Sequence, residues 1–545
     1  LKTARSRAIG RELVVAFGEP LPSDTDPVTL KRKVFELSIR SWVEYTDTLQ
    51  TLPRAWIDSV KRLGNDMALA DTGARPLSAN QALTRAVLLS RRIRRQHPGQ
   101  QYVGMIFPAG SAGMVANMAS LLAGKAVLNL NFTADPAVLR QSVERAGLRS
   151  VLTSRKVLER LAGRGIELES SLQGLDIHFI EDMEKPIGRA ESLLVRVLVR
   201  LLPGALLKPL VCKPTSPDAT AALLFTSGSE GVSKGVMLSH RNIMANVKQL
   251  SDVLNVREED VVLAQLPLFH SYGLTVCQFM PLIEGLPVVC HADPSDTIGI
   301  ARAVTRYQAT LMVSTSTFLR PFIANPRIHP LMLASLRMVV SGAEKLGDDV
   351  RKAFKLKFQR EVYEGYGMTE TSPVASVNLP DQLDTHSWHI QRGSKAGTVG
   401  LPLPGTSFAI IDPDSGREQP AGEPGQVVVG GCQVMKGYLD DEALTASVVR
   451  DEDGILWFSS GDRGYLDADG FLTIVDRFTR FATVGGESVS LTAVEDAVRG
   501  VLDEPELELA ALARPVASAE AGEEGAAGED GAEQLIVLLH QGQLD

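Results

Sequence analysis

Short apolar runs alternate with stretches of helical periodicity from Asp71 onward, and this alternation limits the possible folds more than any other feature of the sequence. The runs read VGMIF, SVLTS, AALLF, VVLAQL, TLMVS and RMVVSG. Between them lie segments such as Asn80–Gln96, in which apolar residues recur with the period of a helix. Buried strands joined by helices give this pattern, so the sequence predicts an α/β fold with largely parallel sheets.

The pattern changes on either side of this region. Before it, ELVVAFGEPLP predicts a short strand closed by Gly and Pro, and a helical span follows from about Thr29 to Leu63. After about Val399 the strands are short and punctuated by Gly and Pro, as in GTSFAIIDPDSG, which predicts a smaller β-rich subdomain. The acidic low-complexity stretch ASAEAGEEGAAGEDGAEQ predicts a solvated surface insertion.

Length and composition exclude several classes of protein. A chain of 545 residues exceeds one compact core and predicts about three to four domains. The formal net charge of −9 argues against a nucleic-acid binder that works by neutralising phosphates. The four cysteines are scattered without CxxC spacing, so they indicate neither a zinc site nor a disulfide framework. The chain begins at Leu1 and ends at Asp545, directly after the apolar run LIVLLH, and we expect both ends to continue in a longer protein.

The run LLFTSGSEGVSKGVMLSHRN is the strongest local signal. It predicts a strand that leads into a loop of Thr, Ser and Gly residues and then to Lys234. Small residues let backbone N–H groups approach phosphate oxygens, hydroxyls add donors, and a lysine supplies positive charge. The spacing differs from that of the G-x-x-x-x-G-K-[ST] loop. Since a Gly and Ser loop alone is also typical of a turn, a triphosphate cradle requires further motifs.

Three further motifs follow in order along the chain. SGAEKL begins at Ser341, VYEGYGMTETSP at Val362 and SSGDRGYLDADGFLTIVDR at Ser459. Together with the loop they resemble the adenylate-forming superfamily of acyl-CoA synthetases, luciferases and peptide-synthetase adenylation domains. The resemblance covers about Asp71–Val498.

A finer resemblance points to one branch of that superfamily. The chain is most similar to the synthetase half of the bifunctional acyl-acyl-carrier-protein synthetases and 2-acylglycerophosphoethanolamine acyltransferases. The variant FTSGSEG, with Glu230 where relatives usually have Thr, and the run RFATVGGESVSL carry this similarity. ELVVAFGEPLP resembles the last strand of the acyltransferase domain that precedes the synthetase in those proteins.

The resemblance implies a domain organisation. We expect a large N-terminal domain of two α/β subdomains and a small β-barrel-like subdomain, followed by a small, truncated α+β C-terminal domain. Along the chain we predict four parts: the tail of a preceding acyltransferase-like domain at 1–25, a helical linker at 26–65, an AMP-binding adenylation domain at 66–475 and a partial C-terminal mobile domain at 476–545.

The resemblance also implies a site for ATP and Mg²⁺ and assigns it residue by residue. Tyr366 would stack on adenine, Thr369 would approach the α-phosphate, and Glu370 would hold Mg²⁺. Asp462 would accept both ribose hydroxyls, and Arg477 would reach the same ribose. The other nucleotide-binding residues lie in the phosphate loop, at the adenine pocket and beside Tyr366, and they are Thr226, Ser227, Gly228, Ser229, Gly231, Lys234, Gly342, Ala343, Glu344 and Gly367.

Catalysis and domain movement are assigned in the same way. Four residues would take part in catalysis, namely Lys234, Thr369, Glu370 and His270. His270, in PLFHSYGLT, matches the mouth of the acyl pocket and would gate entry of the carboxylate, although a structural histidine is an equal alternative. Asp476 matches the hinge of the mobile domain. Three of these assignments have structural alternatives. The loop would then be a plain turn, Asp462 an exposed acid in a turn, and Asp476 and Arg477 a surface pair.

The implied reaction has two steps. ATP is first used to join a long-chain fatty acid to AMP, and the acyl group is then transferred to the thiol of acyl carrier protein. The acyl group would serve to reacylate lysophospholipids. A long-chain fatty acyl-CoA synthetase, with CoA as acceptor, and a noncatalytic nucleotide- or lipid-binding module are the alternatives. The superfamily places a lysine near its C-terminus in a segment like PxTxxGK, and the chain reaches Asp545 without it. We therefore expect this stretch to adenylate slowly but to retain thiol transfer, which depends on the segment GGESVS.

The composition of one segment predicts contact with a membrane. The run RAESLLVRVLVRLLPGALLKPLVCK, from Arg189 to Lys213, is rich in Leu and Val and contains Arg196, Arg200 and Lys208. A basic amphipathic helix of this type binds an anionic membrane interface, although a helix packed on the protein surface has the same pattern. No apolar run reaches the ~20 residues of a spanning helix. We expect a cytoplasmic protein, or a peripheral one on the cytoplasmic side of the inner membrane.

Overall fold

The structure is a computed structural model that describes residues 14–185, 187–226, 233–478, 481–484, 487–502, 509–515 and 533–539. The fold is mixed α/β, with a large N-terminal domain and a small C-terminal domain, as predicted. By packing, the chain forms two compact units. The first unit runs to Phe408 and includes Val429–Phe458, and the second contains Ala409–Val428 and the chain from Ser459 onward. The four predicted domain limits remain a prediction.

A seven-stranded sheet lies in the first unit. Its strands are, in spatial order, Gly437–Tyr438, Lys234–Ser239, Thr220–Thr226, Ala126–Asn129, Tyr102–Met105, Ser150–Thr153 and Asp176–Phe179. Most neighbours are parallel, but the first three strands of this order pair antiparallel. The predicted runs VGMIF, SVLTS and AALLF all lie in this sheet, which confirms them as strands.

A nine-stranded sheet completes the α/β part of the first unit. Its strands are, in spatial order, Leu401–Pro402, Val374–Val377, Val362–Gly367, Met338–Ser341, Leu311–Ser314, Val262–Ala264, Val288–Cys290, Met67–Asp71 and Leu77–Ser78. The predicted runs VVLAQL, TLMVS and RMVVSG become adjacent parallel strands at its centre. Parallel strands end at the same sheet edge, so the residues that follow them lie near one another.

Helices connect the strands. The α-helices are Pro27–Asp47, Leu52–Leu63, Ala79–Gln96, Ser111–Leu122, Pro136–Arg145, Arg155–Ala162, Ile180–Glu184, Arg189–Leu201, Gly204–Val211, His240–Val253, Met280–Glu284, Thr297–Tyr307, Ser316–Ala324, Asp348–Phe358, Glu442–Val448 and Leu491–Leu502. A π-helix spans Gly273–Phe279, and short 3₁₀ turns span Pro330–Leu333 and Thr369–Thr371.

Capping and proline explain where several helices begin. The predicted helix at Asn80–Gln96 is confirmed, because Ser78 and Gln81 form a capping box that starts it at Ala79. The predicted continuous span from Thr29 to Leu63 is wrong in one respect. It consists of two helices, since the chain turns after Asp47 and Pro53 lies in the first turn of the second helix, where its missing N–H costs nothing.

The basic, Leu-rich segment also forms two helices rather than one. Arg189–Leu201 and Gly204–Val211 are separated at Pro203, which precedes the second helix. Val195 and Val199 are buried on the inner face of the first helix, whereas leucines on its outer face are exposed. The segment is therefore amphipathic, as predicted. Within the residues that the structure describes, no helix combines the length and the hydropathy needed to cross a bilayer.

The remaining strands are short, as the Gly and Pro pattern predicted, except for Ile455–Leu466, which has 12 residues. They are Gln382–Leu383, Ile390–Gln391, Thr406–Ile411, Gly425–Gly431, Val449–Glu452, Ile455–Leu466, Leu472–Arg477, Phe481–Val484, Glu487–Ser490, Leu509–Pro515 and Glu533–Leu539. The part of Ile455–Leu466 that lies in the second unit pairs antiparallel with Leu472–Arg477, from Asp462 to Leu466. The predicted acidic insertion falls almost entirely outside the described residues.

Buried polar contacts fix the π-helix against the core of the first unit. Asn117 donates from Nδ2 to Oε1 of Gln278 at 2.8 Å, and both side chains are fully buried. Gly273 begins the π-helix, and a Cβ there would lie 2.2 Å from the carbonyl oxygen of Pro267. Only glycine fits, so the backbone after His270 is held in one position.

Candidate functional site

Thr226 and Lys234 mark the two ends of the predicted phosphate loop. They face each other across the antiparallel strands Thr220–Thr226 and Lys234–Ser239. The other predicted loop residues lie outside the described residues, and these are Ser227, Gly228, Ser229 and Gly231. Arg145 donates from its guanidinium to the carbonyl of Ser233, next to Lys234. The hairpin therefore fixes where the loop leaves and rejoins the sheet.

Tyr438 links Lys234 to Glu370 and was not predicted from the sequence. Its strand, Gly437–Tyr438, pairs with Lys234–Ser239 at the sheet edge. The Lys234 ammonium lies 5.7 Å from the centre of the Tyr438 ring, a cation–π distance. The Tyr438 hydroxyl donates to Oε1 of Glu370 at 2.9 Å. Two predicted catalytic residues therefore contact one aromatic side chain.

The pKa of Tyr438 is raised, first because the side chain is buried and then because the Glu370 carboxylate lies beside it. A phenol is already protonated at neutral pH, and the raised pKa extends this to higher pH, so the hydroxyl stays a hydrogen-bond donor to the carboxylate. No motif in the sequence pointed to this residue, because its partner lies 68 positions earlier in the chain.

Glu370 and Thr369 lie in a tightly constrained turn. Thr369–Thr371 forms the 3₁₀ turn after strand Val362–Gly367, and the Met435 N–H donates to the Glu370 carbonyl at 2.8 Å. The Thr369 hydroxyl lies 3.3 Å from that of Ser271, in the segment before the π-helix. The hydroxyls of Thr369 and Ser271 therefore meet from separate parts of the first unit.

Gly367 has a steric reason to be glycine. A Cβ at this position would lie 1.9 Å from the Pro373 carbonyl oxygen, so any side chain would break the turn that presents Glu370. Its predicted contact with the nucleotide remains a prediction.

The predicted adenine-binding residues follow two neighbouring strands. Gly342 follows Met338–Ser341 and donates from its N–H to the Ser314 carbonyl at 3.1 Å. A Cβ at Gly342 would lie 3.3 Å from the Tyr272 ring, a close contact that would push the ring by a few tenths of an ångström. Ala343 has a φ of +69°, in the left-handed region that L-residues seldom adopt.

Glu344 and Tyr366 border the same strand ends. Glu344 is exposed and accepts hydrogen bonds from the backbone N–H and the hydroxyl of Thr317, the latter at 2.9 Å. Tyr366, in the next strand, is half-buried, and its ring centre lies 6.5 Å from that of Phe408. A flat, partly accessible aromatic at this position suits the stacking predicted for it.

Asp462 and Arg477 form an ion pair within the second unit. They are register partners in the hairpin, and the Arg477 Nε donates to Oδ1 of Asp462 at 3.1 Å. The Asp462 side chain is 8 % exposed and that of Arg477 is 70 % exposed. A ribose bound here would therefore donate hydrogen bonds to a carboxylate that already accepts one from the Arg477 guanidinium. Asp476 is buried and accepts from the Arg477 N–H at 2.8 Å, and its role as a hinge stays a prediction.

His270 lies at the surface of the first unit. Its ring packs edge-on against Phe269 at 4.7 Å between centres, and Phe269 packs in turn on Phe132. The pKa of His270 is lowered by desolvation, because protein atoms crowd the ring even though part of the residue stays accessible. A neutral imidazole at an apolar aromatic edge is compatible with gating, which remains a prediction.

The donor set fits Mg²⁺ held jointly with nucleotide phosphates. Mg²⁺ prefers oxygen ligands and is often bound by one or two carboxylates together with substrate phosphates. Glu370 supplies one such carboxylate, oriented by Tyr438. Across the described ranges there is no cluster of three acidic, His or Cys side chains that would form a complete metal site. Glu370 would hold the metal together with oxygens of the ATP phosphates.

We expect Tyr438→Phe to raise the Mg²⁺ concentration needed for half-maximal activity by about tenfold, because residues that orient a metal ligand typically contribute this much. The ring, and with it the contact to Lys234, would remain. Mg²⁺ titration of fatty-acid-dependent pyrophosphate exchange measures the effect. Tyr102→Phe is the matched control, since the Tyr102 hydroxyl in the same sheet contacts only the Met237 sulfur, at 4.0 Å, among the described residues. Equal titration curves for both variants would contradict the role of Tyr438.

Comparisons with known proteins agree with this geometry. The profile of a family described as AMP-binding enzyme matches residues 57–439. The long-chain-fatty-acid–CoA ligase of Escherichia coli O6:H1 is 29% identical over 402 residues, which cover 70% of this chain and 69% of that protein. The 4-coumarate:CoA ligase 1 of Petunia hybrida is 32% identical over 311 residues, or 56% of this chain and 55% of its own length.

Solved structures share the fold. ATP-bound MatB from Rhodopseudomonas palustris superposes with a TM-score of 0.70 at 25% identity, over 90% of this chain and 88% of that one. The O-succinylbenzoate coenzyme A synthetase of Bacillus subtilis, in complex with ATP and magnesium ion, gives a TM-score of 0.69 at 21% identity and covers 89% of both chains.

Proposed function

Since this chain belongs to the AMP-binding enzyme family, we propose that it activates a long-chain fatty acid as acyl-AMP and transfers the acyl group to the thiol of acyl carrier protein, for reacylation of lysophospholipids. As a family member it is an ATP-dependent, AMP-forming acid–thiol ligase. The fatty acid, the carrier protein and the lysophospholipid are the proposed parts. The contact of both Lys234 and Glu370 with Tyr438 is the observation that carries the activation step of the proposal.

Charge explains how these residues would act. A carboxylate oxygen of the fatty acid attacks the α-phosphorus of ATP, the bond to the leaving pyrophosphate breaks, and acyl-AMP forms. Negative charge grows on the phosphate oxygens, and the Lys234 ammonium, at the end of its strand, would offset it. Glu370, oriented by the Tyr438 hydroxyl, would hold Mg²⁺, which supplies Lewis-acid stabilisation of phosphate oxygens when bound. The Thr369 hydroxyl would donate to an α-phosphate oxygen.

In the second step a thiolate attacks the acyl carbonyl and AMP leaves with the bonding electron pair, so that a thioester forms. The runs FTSGSEG and RFATVGGESVSL support acyl carrier protein as the thiol donor, through the resemblance that they carry. CoA is the second candidate acceptor, because the Escherichia coli relative is a long-chain-fatty-acid–CoA ligase. Both candidates share the activation chemistry and differ only in the acceptor.

A peripheral contact with the cytoplasmic side of a membrane is also part of the proposal. The helices Arg189–Leu201 and Gly204–Val211 expose large apolar side chains, including Leu201, which is 71 % exposed, and Leu210. Arg196 and Arg200 are exposed on the first of these helices. Apolar residues beside cations support binding at an anionic interface, where a membrane-derived fatty acid or lysophospholipid would be available.

We expect the full-length protein to catalyse pyrophosphate exchange that requires palmitate and to acylate holo-acyl carrier protein faster than CoA, because activation and transfer are separate half-reactions. Exchange with radiolabelled pyrophosphate, followed by single-turnover transfer from palmitoyl-AMP to each acceptor, measures both steps. Acetate in place of palmitate is the control for chain length. Faster transfer to CoA would favour the second candidate. If the protein binds ATP but no acid supports pyrophosphate exchange, the noncatalytic binding module would be the correct interpretation.

A further inference from the structure

A groove of about 570 Å³ opens between the helices Ala79–Gln96 and Arg189–Leu201, in a part of the first unit that contributes no residue to the nucleotide site. Its floor is apolar, since Leu88, Leu89 and Met183 line it and are buried. A volume of this size lies within the range of small-molecule sites in proteins. The groove can therefore accept a ligand with a substantial apolar part.

The rim of the groove is positively charged. Three arginines line it, namely Arg85, Arg189 and Arg196. Within the described ranges these three make no ion pair or hydrogen bond through their side chains. Glu191, the one acid in the sequence of helix Arg189–Leu201, is held instead by Arg91 at 3.3 Å and Arg92 at 3.2 Å. The three guanidinium groups remain available to an anion, and Arg is well suited to binding phosphate.

The groove is continuous with the exposed apolar surface of the same helix. Leu193 lines the groove and is exposed, and Val197 and Leu201 follow it at intervals of four residues on the outer side. A soluble anionic metabolite would use only the charged rim for its binding. A ligand that lies in a bilayer would meet the rim, the apolar floor and the exposed leucines together.

We propose that this groove binds one anionic phospholipid drawn from the bilayer, with its phosphate on Arg85, Arg189 and Arg196 and an acyl chain along Leu88 and Leu89. The proposal rests on the membrane contact proposed above and makes it specific. A lipid bound in this groove would attach the protein to the membrane. This attachment would add to the general electrostatic attraction between the basic helix and an anionic surface. None of the residues that line the groove is among the candidate nucleotide-binding residues, so a lipid and ATP would occupy separate sites.

A monomeric lipid tests the groove without a bilayer. We expect dihexanoylphosphatidylglycerol, below its micelle concentration, to bind more tightly than dihexanoylphosphatidylcholine or inorganic phosphate in calorimetry. Arg196→Glu should weaken binding of the phosphatidylglycerol by about tenfold or more, since each cation near an anionic lipid contributes appreciably. Arg200→Glu is the matched control, because this exposed arginine lies on the same helix but does not line the groove. It should leave binding unchanged.

Equal losses in the two variants would overturn the lipid site, as would phosphate binding as tightly as the lipid. Unchanged pyrophosphate exchange and thermal unfolding show that Arg196→Glu folds. Co-sedimentation with phosphatidylcholine vesicles, with and without phosphatidylglycerol, tests the bilayer contact separately. Wild-type pelleting with anionic vesicles is expected, and both glutamate variants should reduce it. Absence of pelleting, with monomeric lipid still bound, would overturn the bilayer as the source of the ligand.

Discussion

Replacing Glu370 with glutamine is expected to slow fatty-acid-dependent pyrophosphate exchange by about 100- to 1000-fold, the loss that follows removal of one preorganised electrostatic contact in other enzymes. Glutamine keeps the size of the side chain and an oxygen that accepts from the Tyr438 hydroxyl, so the turn at Thr369–Thr371 should stay folded. The change removes the negative charge that would hold Mg²⁺. Exchange rates measured across a Mg²⁺ titration separate a metal-binding defect, which excess metal partly rescues, from a defect that metal does not rescue.

Glu361→Gln is the matched control for this experiment. Glu361 is exposed, precedes the same strand and forms an ion pair with Lys355, so it offers the same chemical change outside the site. We expect its exchange rate and Mg²⁺ titration to match the wild type. If Glu370→Gln also matches, then Glu370 does not hold the metal and the carboxylate only orients Tyr438.

Asp462→Ala is expected to weaken ATP binding by about 10- to 100-fold, because hydrogen bonds to a charged group contribute about 1.5 to 3 kcal/mol each and this carboxylate would accept from the ribose. Calorimetry with ATP and with 2′-deoxy-ATP distinguishes a ribose contact from a structural effect. The wild-type protein should prefer ATP, whereas the variant should bind both nucleotides equally.

If Asp462 has only a structural role, its replacement would give a different result. Asp462 accepts from Arg477 within the hairpin, so its removal also breaks an ion pair. Weaker binding of both nucleotides with the preference for ATP retained would show that Asp462 supports the hairpin and does not contact ribose. Asp469→Ala, in the exposed turn between the same two strands, controls for a general weakening of the hairpin.

The sequence predicted the secondary structure well where apolar periodicity was strong. TLMVS and RMVVSG became the parallel strands Leu311–Ser314 and Met338–Ser341, because a buried strand needs apolar residues at nearly every position. The helix break between Asp47 and Leu52 was missed, although Pro53 lies inside the predicted span and proline disrupts a helix anywhere beyond its first turn.

The position of candidate residues in the fold could be predicted where they lie in one contiguous motif, and their roles remain predictions. Thr369 and Glu370 belong to such a motif, and the structure places them at the end of a central strand. Tyr438 could not be predicted, because its importance comes from a hydrogen bond to Glu370 and a strand pairing with Val236, both distant in sequence. The charged groove could not be predicted either, since Arg85 and Arg196 meet only when their two helices pack together.

The two-residue strand Gly437–Tyr438 also makes the assembly of this site depend on a late part of the chain. Its partner strand, Lys234–Ser239, is made about two hundred residues earlier, so their pairing is among the long-range contacts that form slowly. Until it forms, Glu370 has no phenol donor and the lysine has no aromatic neighbour. During synthesis, the pairing that brings Tyr438 beside these two residues therefore becomes possible only after the other six strands of the seven-stranded sheet have been made.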